Sequence, residues 1–121
     1  MALVQKVSKG IDFDSTMPGI YWSDITRASY LQRMIIVHSI LYYQMNTSVI
    51  SDGRFDRLSK QLIGLRSQMT AEEYRRAEYY YCFQDFDGNT GFDLYNKLVP
   101  KDREWLTKLA EIVLVSYKSG K

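Results

Sequence analysis

The stretch HSILYYQMNTSVISDGRFDRLSKQL, His38 to Leu62, decides the fold. Up to Met45 its apolar residues recur at three- and four-residue steps, the period of a helix. Asn46, Thr47 and Ser48 then interrupt the pattern, because their short polar side chains compete for backbone hydrogen bonds. Ser51 follows as a cap, with Asp52 favourably placed at the positive end of a new helix. Phe55, Leu58, Leu62, Leu65 and Met69 give that helix a clean apolar stripe. Two helices joined by a tight turn are therefore expected at the centre of the chain.

Working outward, Ser23 or Asp24 can cap the first of these helices. Leu31, Met34, His38, Leu41 and Met45 form one row along it, and Ile36, Ile40 and Tyr43 cover a second face. A helix apolar on most sides belongs in the middle of a domain. Residues 1–22 contain Gly10, Pro18 and Gly19 and show no sustained period, so they are read as an irregular arm. Its Ile11, Phe13, Ile20 and Trp22 are expected to lie across the domain. Downstream, TAEE at 70–73 is a capping box that should open a third helix through EYRRAEYYYCF, residues 73–83. DFDGNTG, residues 85–91, is a turn cluster, and FDLYNKLV makes a short helix after it. Pro100 suits the first position of a last helix, predicted to pack through Trp105, Leu109, Ile112 and Val113 with Leu106 and Val115 flanking. The expectation is an all-α fold of about five helices, one domain spanning 1–121.

Composition narrows the functional classes. The chain of 121 residues is 45% hydrophobic and 25% charged, ordinary for a globular protein. No apolar run approaches the roughly 20 residues that cross a bilayer, and MALVQKVSKG lacks a signal-peptide apolar region. The single Cys82 excludes an internal disulfide and fits a reducing, cytoplasmic setting, where it should behave as a small buried hydrophobe. One histidine and one cysteine do not make a zinc site. Counted as a calcium loop from Asp85, DFDGNTGFD puts Thr90 where glycine is required and Asn96 where glutamate is required, so no metal is expected. Net charge is only +2, and Arg54, Arg57, Lys60 and Arg66 offer at most a modest basic strip for nucleic acid. Tyrosine is abundant at ten, and an exposed cluster at Tyr79 to Tyr81 would mark a protein partner.

Within the central pair, His38 and Tyr42 are four apart and share a helix face, as do Asp52 and Asp56 with Phe55 beside them. The turn should bring the end of one helix to the start of the other. The resulting notch would suit a flat, hydroxylated, cationic ligand, with rings on its plane and carboxylates accepting from its amide or hydroxyls. The same residues also have a purely structural reading, in which Tyr42 and Phe55 are core and the aspartates serve the helix N-terminus.

His38 to Leu62 closely resembles the N-terminal helical segment, domain Ia, of NAD-dependent DNA ligases. There a run like H-x-x-x-YY is followed by ISD-x-x-[YF]D-x-L. In that family the segment holds the nicotinamide mononucleotide half of NAD during enzyme adenylation. The resemblance implies that Tyr42 packs on the nicotinamide ring and that Tyr43 reaches toward the phosphate. It implies that Asp52 and Asp56 hold the carboxamide and ribose, and that His38 supports the helix end. Phe55 stands where the family usually has tyrosine, so stacking is kept and a hydroxyl is lost. Asn46, Thr47 and Ser48 replace a D-A-P turn, and Gly53 and Arg54 replace A-E. The resemblance spans about residues 30–65; residues 70–121 contain no K-x-D-G adenylation motif and no zinc finger. No catalytic residue is expected, because nucleotidyl transfer needs that lysine nucleophile. With YYYCFQDFDGNTGFDLYNKL included, the chain looks like small ligase-related proteins of bacteriophages that infect Gram-positive bacteria.

Three functions follow as expectations. The first is a non-catalytic phage or prophage accessory factor that binds a host or viral protein. The second is a binder of nicotinamide mononucleotide or NAD through Tyr42, Tyr43, Asp52, Phe55 and Asp56. The third is a weak nucleic-acid-associated module.

Overall fold

Ser23 opens the first helix: its Oγ accepts from the Thr26 N–H at 3.2 Å, and α1 runs Asp24–Ser39. The computed structural model describes residues 23–88 and 91–119, so the arm expected over 1–22 lies outside the described residues. A π-helical turn, Ile40–Gln44, extends α1 and leads into the polar turn. Then come α2 (Asp52–Arg66), α3 (Ala71–Arg75), a 3₁₀ turn (Tyr80–Cys82), α4 (Leu94–Lys97) and α5 (Pro100–Ser119). The described residues are all-helical, with five α-helices and no strand. None of these helices is long and apolar enough to cross a membrane.

The central position expected of α1 is what the structure shows. Ala28, Leu31, Ile35, Ile36, Val37, Ile40 and Leu41 are all buried, and Leu62, Leu65, Phe83, Leu94 and Leu106 pack into the same core. The principal partner of α1 is α2, with α5 beside it. Gly88 adopts a left-handed φ of 89°, and a Cβ there would stand 3.2 Å from Ile63 Cγ1, so glycine lets this turn press onto α2.

Four expectations are corrected. The capping box forms, with Thr70 Oγ1 accepting from Glu73 N–H (3.1 Å) and Glu73 Oε1 from Thr70 N–H (2.9 Å), but α3 ends at Arg75 instead of reaching Phe83. Tertiary hydrogen bonds take the backbone that would have continued it. The Glu78 N–H donates to Ser29 Oγ at 2.9 Å, the Glu78 carbonyl accepts from the fully buried Gln32, and Tyr79 turns left-handed at φ 66°. Unwinding there lets Cys82, Phe83 and Phe86 enter the core.

The second correction concerns the face of α5. Leu106 and Ala110 are buried and Leu109, Val113 and Leu114 partly so, while Trp105, Ile112 and Val115 face outward. Tyr81 braces the start of α5 in this orientation: its hydroxyl donates to Asp102 Oδ2 at 2.6 Å and accepts from Val99 N–H at 3.2 Å. The third is the basic strip. Arg66 leaves it to lie over the Tyr74 ring at 4.4 Å and to donate to the Phe86 carbonyl at 3.1 Å. Nor are the tyrosines one exposed cluster, since Tyr79 and Tyr80 are half-buried and Tyr81 is held by Asp102.

Candidate functional site

The end of α1 departs from α-helical geometry just where the two tyrosines sit. Met45 N–H donates to Ile40 O at 3.0 Å, an i to i+5 bond, and Thr47 N–H donates to Leu41 O at 2.9 Å. The wide turn closes on Asn46, left-handed at φ 53°, a conformation asparagine tolerates better than most residues. Such π turns add a residue and re-aim the side chains they carry. Tyr42 and Tyr43 consequently face outward, 53% and 39% exposed, with rings edge-on at 4.8 Å. Straight helical periodicity had placed Tyr43 on the second apolar face; it stands on the surface instead.

Across the turn, Ser51 starts α2 by accepting from Arg54 N–H at 3.1 Å. The N-terminus of α2 is thereby capped without Asp52. No hydrogen bond or ion pair holds the Asp52 carboxylate among the described residues. Asp56, one turn on, pairs with Lys60 at 3.0 Å on the exposed side of the helix. Phe55 is half-buried against the core edge.

These elements enclose a cavity of about 350 Å³ lined by His38, Ser39, Tyr42, Tyr43, Ser48, Ile50, Ser51, Asp52, Phe55 and Asp56. All five residues singled out in the sequence, Tyr42, Tyr43, Asp52, Phe55 and Asp56, meet there, and His38 joins them. The volume is at the lower end of the range found for small-molecule sites. Ser39, Ser48 and Ile50 also line it, although no sequence pattern points to them. Ser39 Oγ donates back to Ile35 O at 2.7 Å and Ser48 Oγ donates to Ile50 O.

His38 is 8% exposed, and its Nδ1 is buried with no hydrogen-bond partner. Burial first, and the neighbouring Arg54 charge second, lower its pKa to about 4. The imidazole is therefore neutral near pH 7. With His38 neutral, the charged residues lining the cavity are Asp52 and Asp56, the latter paired with Lys60, and the Arg54 charge lies close enough to act on His38. The site thus presents aromatic faces, hydroxyls and carboxylate acceptors.

A further ring arrives from far along the chain. Phe92 lies 5.3 Å from Tyr43, edge-on, although 49 positions separate them, and nothing local in the sequence announces the contact. Comparison of the chain with protein-family models, curated proteins and solved structures finds no match.

Proposed function

We propose that the protein is a non-catalytic binding module for the nicotinamide mononucleotide unit, free or within NAD, acting as a phage or prophage accessory factor in the cytoplasm of a bacterial host. The cavity between α1 and α2 carries this reading. Tyr42 and Phe55 offer ring faces for the pyridinium, and Asp52 and Asp56 accept from the carboxamide and ribose hydroxyls. The uncommitted Asp52 carboxylate is the strongest single support, since Ser51 already performs the structural task that would otherwise explain an aspartate there.

Calorimetry with wild-type protein tests it. Nicotinamide mononucleotide should bind saturably below millimolar concentration. The reduced mononucleotide loses the positive ring, and nicotinic acid mononucleotide adds a carboxylate; each should bind about tenfold more weakly, the size expected for losing a desolvated cation–π contact. No heat from the oxidised mononucleotide at millimolar concentration sinks the proposal.

A protein partner is the second reading, favoured by the outer face of α5. Trp105, Ile112 and Val115 lie at helical spacing and are all exposed, and exposed apolar side chains on one helix face are of the kind that marks interaction surfaces. Affinity capture from phage-infected host extract, run in parallel with wild type and Ile112→Glu, checks it. A host or viral protein retained by wild type and lost by the variant supports this reading; identical retention by both removes it. The third reading, nucleic acid, is weakened by the withdrawal of Arg66 from the α2 strip.

A further inference from the structure

The cavity has an aromatic extension that the ligase-like segment does not supply. Tyr42, Tyr43 and Phe92 form a row of rings, each edge-on to the next, with centroids 4.8 Å and then 5.3 Å apart. Tyr42 and Tyr43 are cavity wall, whereas Phe92 stands beyond the rim and is 58% exposed. The row therefore leads from the cavity onto the surface.

Phe92 is not a casual neighbour. The preceding Gly91 packs so tightly that a Cβ at that position would fall 2.0 Å from Ser39 Oγ and 3.1 Å from Ser39 Cβ. Real Cβ atoms do not approach so closely, and Ser39 is a buried wall residue, held by its bond to Ile35 O. On the other side, Leu94 is buried in the core and begins α4. Phe92 is thus fixed between a glycine pressed onto the cavity wall and a leucine anchored in the core.

We propose that the Tyr43–Phe92 shelf is a second subsite, which takes the adenine ring of a dinucleotide, so that the ligand is NAD and not the free mononucleotide. The proposal rests on the reading that the cavity holds nicotinamide. At about 350 Å³ the cavity has room for one nucleotide unit at most. The remainder of a dinucleotide must leave through the rim, where the Tyr43 and Phe92 rings are exposed. Stacking on aromatic side chains suits any base, because every base has a π-face, and it needs no hydrogen-bond partner at the edge of the ring.

Calorimetry with nicotinamide mononucleotide and NAD, on wild type, Phe92→Ala and Phe92→Trp, decides it. Wild type should bind NAD about tenfold more tightly than the mononucleotide, as one stacked base allows. Phe92→Ala should bring NAD down to the affinity of the mononucleotide while leaving the mononucleotide unchanged, and Phe92→Trp should keep the NAD advantage. Equal affinities in wild type, or a Phe92→Ala variant that weakens both ligands alike, overturn the shelf. If the mononucleotide binds and NAD has no advantage, the shelf alone falls; if neither binds wild type, the nicotinamide reading falls with it.

Discussion

Acidification from pH 6.5 to pH 4 is expected to remove about 3 kcal/mol of folding stability through His38, and His38→Gln is expected to abolish that part of the pH dependence. In the folded chain the imidazole titrates at about 4, against an ordinary 6.5 when unfolded. Burial is the main cause and the Arg54 charge the lesser one; Asp52 and Asp56 share the cavity but do not reverse the direction. Above pH 6.5 the ring is neutral in both states, so His38 costs nothing. Between 6.5 and 4 the unfolded chain takes up a proton that the folded chain refuses, and stability falls as pH falls. Below 4 both states are protonated and the loss is complete. At about 1.4 kcal/mol per pH unit, the gap between the two values corresponds to the figure given. Urea unfolding at several pH values, on wild type and His38→Gln, measures it. Parallel stability curves for the two proteins would show that His38 is free to ionise in the fold.

Asp52→Ala is expected to lower affinity for nicotinamide mononucleotide by more than tenfold while leaving the melting temperature almost unchanged. A charge-assisted hydrogen bond from a carboxylate to a ligand is worth roughly 1.5–3 kcal/mol. The same carboxylate at a solvent-exposed helix N-terminus contributes only about 0.3–1 kcal/mol to folding. Here Ser51 makes the cap and no ion pair is lost, so the low end of that range applies. Asp56→Ala is a less clean comparison, because it also breaks the contact with Lys60. Calorimetry beside a thermal melt separates binding from folding. Unchanged affinity would remove Asp52 from the site, and a large fall in melting temperature would return it to a structural role.

Both substitutions probe a cavity whose main residues could be named from their spacing. Tyr42 closes one helix and Asp52, Phe55 and Asp56 open the next, so a turn of a few residues suffices to bring them together. The local signals are of the same kind. Ser23, Ser51 and the Thr70–Glu73 box cap the helices expected of them, because donor and acceptor lie three residues apart and need no other part of the fold. The apolar stripe of α1 likewise announced a central helix, since surrounding apolar residues leave it no polar face to give to water.

What the local pattern could not decide depended on groups distant in the chain. Tyr43 faces outward because a π turn replaces the last α turn, and helical period alone cannot distinguish the two. Glu78 gives its backbone to Ser29 and Gln32, 49 and 46 residues away, and so ends a helix that propensity would have prolonged. Tyr81 holds Asp102 at the start of α5, which buries Leu106 and Ala110 and leaves Trp105 and Ile112 outside. Phe92 reaches Tyr43 only because Gly91 lacks a Cβ that Ser39 would exclude. Sequence by itself determined the helices, their caps and the meeting of Tyr42 with Asp52, all interactions within a turn or two of chain. Tertiary structure alone decided where α3 stops, which face α5 buries and which third ring joins Tyr42 and Tyr43, because those outcomes rest on side-chain contacts that exist only once the chain has folded.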